Sequence, residues 1–249
     1  MSRYHTKRQI GFGAAVCLLL LVGADRAWTA DRYLIGPASL QASPSIPKTV
    51  VDGVNPQGWV LYTQSYGVKE QICEIFLAKT LTVRSAAPKS SNLLYSGLTE
   101  GAMVGVIHLL PEATEDYSAD SHNQTLRPGY YTMRYAVMPA GTYENGTKPG
   151  DFVVLSPASM DQDPSRILKT AELTRLGEAT SGTDVPATMA LVAPDPGSRQ
   201  FPSVNVDETD MCIVQVQLRL AATKRAAAAA SEFPLAIGLV TPIHGPEGS

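Results

Sequence analysis

The side chains that could bind a metal or transfer a proton are concentrated between positions 108 and 122. His108 precedes a polar segment and His122 lies near its end. The acids of this segment are Glu112, Glu115, Asp116 and Asp120. Carboxylates are ligands that Ca²⁺ prefers, but their spacing here matches no calcium-loop motif. We therefore expect a solvated hairpin loop, with a calcium site as the alternative.

His108, His122 and a nearby acid could instead hold zinc or copper, although their spacing is not that of a known metal motif. The chain also lacks the G-x-S-x-G, H-E-x-x-H, P-loop and G-x-G-x-x-G motifs. The members of a serine–histidine–aspartate triad come together only in the folded protein, so a sequence without a motif can still contain one. A secreted hydrolase or a metal-dependent enzyme is therefore the alternative to a non-catalytic protein, and we predict no cofactor.

Tyrosines near this segment suggest a binding surface. Tyr130 begins a strand pattern, and Tyr143 lies in a polar segment at 140–150. Exposed rings provide a large contact area for a sugar or a protein partner at a low entropic cost. The predicted binding residues are Tyr130, Tyr143, Asp116, Asp120 and His122.

The elements that position these residues are strands. In the central segment 126–158, Pro128-Gly129 suits a type II turn, and the residues after it alternate. One predicted face holds Tyr131, Met133, Tyr135 and Val137, and the other holds Tyr130, Thr132, Arg134 and Ala136. A second strand is predicted from Asp151 to Pro157. With other short strand patterns and one helical pattern at 163–176, this predicts an all-β fold. The expected architecture is a single antiparallel β-sandwich, immunoglobulin-like or jelly-roll-like, with one short helix.

The amino-acid sequences of these two predicted strands also resemble those of a known group of proteins. The segments LRPGYYTMRY and DFVVLSPA are similar to the L-x-P-G-x-Y-T-x-R-Y and D-F-x-L-L-x-P-A strands of uncharacterised secreted bacterial β-sandwich proteins. More loosely, the P-G-x-Y turn resembles prealbumin-like and carboxypeptidase-regulatory-like modules. The resemblance implies a β-sandwich and a secreted location, and it implies no activity and no catalytic residue.

The amino terminus has the pattern of a secretory signal peptide at 1–24. Three basic residues precede an apolar run from Ile10 to Val22, and small residues allow cleavage after Ala24 or Ala30. A membrane anchor is the alternative, but the run is shorter than the roughly 20 residues of a spanning helix. Residues 25–58 are predicted to be a flexible leader and residues 59–249 the β-sandwich domain.

Charge and cysteine content are consistent with export. Without residues 1–24 the 20 basic residues become 17 against 23 acids, so the net charge is −6. No basic cluster indicates a nucleic-acid partner. Cys73 and Cys212 would then be the remaining cysteines. They could form a disulfide in an oxidising compartment or stay as buried free thiols.

These features predict a secreted or periplasmic, non-catalytic binding or interaction module of the cell envelope. Its loops at 112–123 and 140–150 would contact a protein or glycan partner, with no nucleic acid and no membrane span after cleavage. A purely structural envelope component is a further alternative.

Overall fold

The structure is a computed structural model whose described residues form ten strands and two helices. It describes residues 33–65, 68–83, 93–111, 120–122, 124–137, 150–208, 211–219 and 232–239. The strands are β1 Tyr33–Ser39, β2 Gln57–Ser65, β3 Val68–Leu77, β4 Met103–Leu109, β5 Gly129–Val137, β6 Asp151–Pro157, β7 Thr188–Val192, β8 Ser203–Val206, β9 Cys212–Arg219 and β10 Glu232–Leu239. The helices are α1 Lys48–Gly53 and α2 Thr170–Ser181.

All ten strands belong to one antiparallel sheet. Their order is β1-β2-β3-β4-β5-β6-β7-β10-β9-β8, so neighbours along the chain are mostly neighbours in the sheet. The two edge strands, β1 and β8, contact each other, and the sheet is therefore nearly closed. The predicted all-β antiparallel class is confirmed.

The alternation predicted for β5 is also confirmed. Tyr131, Met133 and Tyr135 point into the main core, which the sheet encloses. Ala136, on the opposite face, packs instead in a small cluster with α2. Because period-2 alternation sends successive side chains to opposite faces, the sequence alone was sufficient to predict this.

The two helices cover separate parts of the outer face of the sheet. Near α1, Val50 and Val54 are fully buried and pack in a cluster with Phe76 of β3 and Val106 of β4. On α2, the buried residues Leu173 and Leu176 pack with Val154 of β6 and Ala136 of β5. Strands β3 to β6 thus bury apolar residues on both faces, as expected for strands covered on two sides.

The prediction of a flexible leader at 25–58 was wrong from Tyr33 onward. β1 pairs with β2 over its whole length, and α1 follows it. Pro37 made the segment look irregular, but β1 is an edge strand, where a missing N–H is tolerated. The short helix α1 has little periodicity of its own and is held by the burial of Val50.

The helix predicted at 163–176 begins later and ends later than the pattern indicated. α2 starts at Thr170, where Glu172 accepts a hydrogen bond from the backbone N–H of Lys169. It ends at Ser181 and is capped by Gly182, whose φ of 72° is the left-handed conformation that glycine adopts easily. Asp163 accepts hydrogen bonds from the backbone N–H and the hydroxyl of Ser165, so it stabilises a local turn instead of a helix start.

A buried ion pair holds the segment before α2 against the outer face of β5. The Arg134 side chain is fully buried, and its Nε and Nη2 each donate to one carboxylate oxygen of Asp161 at 2.7 Å. Its remaining N–H groups donate to the carbonyl oxygens of Gly101, Asp163 and Arg166. All five guanidinium donors are therefore used, which a buried arginine requires.

Removal of the carboxylate should strongly destabilise the protein. We expect Asp161→Ala to lower the free energy of unfolding by about 3–5 kcal/mol, because the charge of Arg134 stays buried without its partner. Urea unfolding followed by circular dichroism measures the change. The control is Asp52→Ala, which removes the exposed pair between Asp52 and Lys48 and should change stability little. Equal effects of the two substitutions would contradict this role.

The two cysteines of the described chain are free thiols. Cys73 and Cys212 are both completely buried in the main core, so of the two alternatives the structure shows the buried thiols. Burial raises the pKa of Cys212 to about 12 and raises the pKa of Cys73 as well. A raised pKa keeps a thiol protonated and unreactive at all pH values well below it.

Both thiols should therefore be protected in the native protein. In a Cys17→Ser background at pH 8, we expect no reaction of the folded chain with a disulfide-exchange reagent such as DTNB. After unfolding in guanidinium, two thiols should react. Fast reaction of the native chain, or no thiols after unfolding, would contradict the structure.

Candidate binding cleft

A cleft of about 350 Å³ lies at the end of the sheet where β2 begins and β3 ends. Its volume is at the lower end of the roughly 300–1,000 Å³ typical of ligand pockets. The lining side chains come from the start of β2, the end of β3, the segment before β8, and β9. They are Asn55, Pro56, Gln57, Trp59, Leu77, Phe201 and Gln217.

Close packing of β2 on β3 positions the indole of Trp59. A Cβ at Gly58 would lie 2.3 Å from the carbonyl oxygen of Ile75 and 2.5 Å from the ring of Phe76. Only glycine allows this approach. Trp59 pairs with Ile75 across the strands, and its half-buried ring packs against the main core. The ring is therefore supported from the interior while it lines the cleft.

Three carboxamide side chains provide the polar groups of the cleft. Gln57 and Gln217 are exposed, and Asn55 is half-buried. The backbone N–H of Asn55 donates to the carbonyl oxygen of Leu77 at 2.8 Å, which fixes its place at the rim. The hydroxyl of Ser39 donates to Oε1 of Gln57 at 3.2 Å. The two N–H groups of the Gln57 amide are then oriented away from Ser39.

Among the described residues, none of those that line the cleft is charged. The lining offers two aromatic rings, one aliphatic side chain, one proline and three neutral amides. None of these groups can act as a nucleophile or as a general acid or base near neutral pH. These described groups can donate and accept hydrogen bonds and offer apolar contact area.

Tyr95 and the residues that it contacts form a hydrogen-bonded plug at the same end of the sheet. The hydroxyl of Tyr95 donates to the carbonyl oxygen of Val192 and accepts from the backbone N–H of Ala236, at 2.7 and 2.9 Å. Its ring contacts Phe233 edge-to-face, with centroids 5.6 Å apart. Burial raises the pKa of Tyr95 to about 12. Asp151 holds this plug, because it accepts hydrogen bonds from the backbone N–H groups of residues 94 and 95.

Tyr130, one of the predicted binding residues, lies half-buried on the outer face of the sheet. Its ring stacks on His108 with centroids 3.8 Å apart and an angle of 6° between the planes. Nδ1 of His108 lies 2.9 Å from a carboxylate oxygen of Glu74. These residues form a row across β3, β4 and β5, because Glu74 pairs with His108 and His108 with Tyr130. Burial and the charge of Glu74 raise the pKa of Tyr130.

Asp120 and His122 form a clamp that holds the end of their loop on β7. Asp120 is fully buried and accepts hydrogen bonds from the backbone N–H groups of His122, Gln124 and Thr188. Nδ1 of His122 lies 3.3 Å from Asp120 Oδ2 and 3.5 Å from Thr188 Oγ1. A catalytic triad needs the acid and the hydroxyl on different ring nitrogens, so this arrangement is not a triad.

The two predicted binding loops leave the sheet at opposite ends. The segment that contains Asp120 and His122 joins the end of β4 to the start of β5, whereas the segment 138–149 joins the end of β5 to the start of β6. Nine residues of β5 separate these ends, which is about 26 Å at roughly 3.3 Å per residue. Asp116 and Tyr143 lie outside the described residues. Of the described members, Tyr130 belongs to the row with His108 and Glu74, whereas Asp120 and His122 belong to the clamp on β7.

The described residues form no metal site of the kinds predicted from the sequence. Within the described ranges, no group of three or more His, Cys, Asp or Glu side chains is arranged to hold a metal ion. His108 and His122 belong to the two separate clusters described above. Among the residues with described positions, no helix combines the length and the apolar character needed to cross a membrane.

Comparisons with protein-family models, curated proteins and solved structures found no match to this chain. The resemblance to secreted β-sandwich proteins therefore stays a prediction.

Sequence reasoning missed every residue of the cleft. Asn55 and Gln57 fell within the predicted leader, and neutral amides belong to no catalytic or metal motif. The available signal was Trp59, one of only two tryptophans in the chain, next to the glycine that a close strand contact requires.

Asp120 should behave as a structural residue. We expect Asp120→Ala to lower the free energy of unfolding by at least about 1–3 kcal/mol, because backbone N–H groups in the buried clamp lose their acceptor. Chemical unfolding followed by intrinsic fluorescence measures the effect. The exposed Asp184→Ala is the matched control and should change stability little. An unchanged stability of the Asp120 variant would contradict the clamp.

Proposed function

We propose that the protein is an exported, non-catalytic binding module of the cell envelope and that the cleft at Trp59 holds its ligand. The observation that carries the proposal is the composition of the cleft, which combines supported aromatic rings with neutral hydrogen-bonding groups. Such a mixture of apolar area and a few polar groups is typical of ligand sites.

The neutral, non-nucleophilic character of the described lining residues favours binding over catalysis. The two histidines that could have supported a hydrolase or a metal enzyme have other partners in the described chain: Glu74 and Tyr130 for one, Asp120 and Thr188 for the other. The signal-like residues 1–24 support the export part of the proposal.

Trp59 offers a direct test, because its emission should respond to a ligand in the cleft. In a Trp28→Phe background, Trp59 is the sole tryptophan. We would titrate this protein with envelope material separated into saccharide, peptide and lipid fractions. At least one fraction should change the emission, and Asn55→Ala/Gln217→Ala should weaken this response about tenfold or more.

The matched control is Gln71→Ala. Gln71 is an exposed carboxamide near the opposite end of β3, outside the cleft. This variant should respond as the parent does. If no fraction changes the emission of Trp59, or if the double variant responds as strongly as the control, the proposed function is wrong.

A further inference from the structure

We infer that the ligand of the cleft is a neutral saccharide, an inference that rests on the proposed binding function. It is carried by the match between the amphipathic lining and the amphipathic surface of a sugar ring, which has C–H groups on its faces and hydroxyl groups around its rim.

The aromatic part of the cleft suits the C–H face of a sugar. The indole of Trp59 packs against the main core, and Phe201, from the segment before β8, also lines the cleft. A ring that is already fixed loses little conformational entropy when a ligand packs on it. Aromatic rings also provide large apolar contact areas with a negative face, which attracts polarised C–H groups.

The polar part of the cleft suits hydroxyl groups. A carboxamide has two N–H donors and a carbonyl acceptor, so one side chain can donate to one hydroxyl and accept from the next. Asn55 and Gln217 offer both functions. Gln57 offers mainly its donors, because Ser39 already donates to its oxygen. Neighbouring hydroxyls of a sugar both donate and accept, and three amides around one cleft can therefore satisfy several of them.

The uncharged side chains of the described lining favour neutral saccharides. An ionic group that is buried without a partner costs far more than a neutral hydroxyl that finds hydrogen bonds. Uronic acids, sulfated sugars and phosphorylated sugars would place their anion against neutral amides and aromatic rings. The small volume further favours a short saccharide unit, such as the end of a chain or one or two of its rings.

The closing experiment is isothermal titration calorimetry of the full chain with tetrasaccharides. The neutral probes are cellotetraose, maltotetraose, mannotetraose and tetra-N-acetylchitotetraose, and the charged probe is tetragalacturonate. We expect at least one neutral probe to bind with a micromolar to millimolar Kd and the charged probe to bind at least tenfold more weakly. Asn55→Ala/Gln217→Ala should weaken the binding at least tenfold, and Gln71→Ala should not.

Two further variants keep the result interpretable. Trp59→Phe retains an aromatic ring in the core but presents a smaller face, and we expect it to weaken binding while circular dichroism shows a folded protein. Ser39→Ala frees the oxygen of Gln57 and should change the relative affinity for the four neutral probes, whereas a purely structural role of Ser39 would leave their order unchanged.

The outcomes separate the inference from the proposal beneath it. If the peptide or lipid fraction changes Trp59 emission through the cleft and no saccharide fraction or probe binds, the saccharide inference is wrong and the binding function stands. Equal binding of tetragalacturonate and the neutral probes would also overturn the inference. If no fraction of any class acts through the cleft, both are wrong.

Discussion

The buried charge of Arg134 is the constraint on which the outer half of the molecule depends. An arginine inside a sheet-and-helix layer is tolerated only if all five of its donors find acceptors. The carboxylate of Asp161 supplies two of these acceptors. The other three are the backbone carbonyl oxygens of Gly101, Asp163 and Arg166. The segment between β6 and α2 must therefore follow one path across β5. Along that path α2 begins at Thr170, and the apolar side of the helix covers β5 and β6.

The same principle operates at both ends of the nearly closed sheet. At one end, Asp151 anchors the plug that contains Tyr95, and at the other, Asp120 holds a loop against β7. The conspicuous acids Asp120, Asp151 and Asp161 are thus used to satisfy backbone N–H groups and one buried cation. The described side chains that line the cleft at Trp59 are, in contrast, uncharged. The stabilising acids and the cleft residues are therefore different residue types, so each set can be altered separately.

Patterns confined to one element were readable from the sequence, and contacts between distant elements were not. The alternation of Tyr130 to Ala136 predicted both faces of β5 because it depends only on strand geometry. It did not show that Arg134 is buried on the outer face, since this needs the later residue Asp161. β1 was concealed by Pro37, and the start of α2 by the turn at Asp163. The cleft combines residues from both ends of the chain, such as Asn55 and Gln217, and no local pattern marks them.

The central claim is that the neutral amides around Trp59 bind a neutral saccharide. Side-chain amide resonances in a ¹H–¹⁵N NMR spectrum test this most directly, because each carboxamide gives its own pair of signals. On addition of the neutral oligosaccharide that binds most tightly, the account predicts saturable shifts for Asn55, Gln57 and Gln217 and none for Gln71. Shifts at Gln71 of equal size, or no shift at any of the three cleft amides, would contradict it.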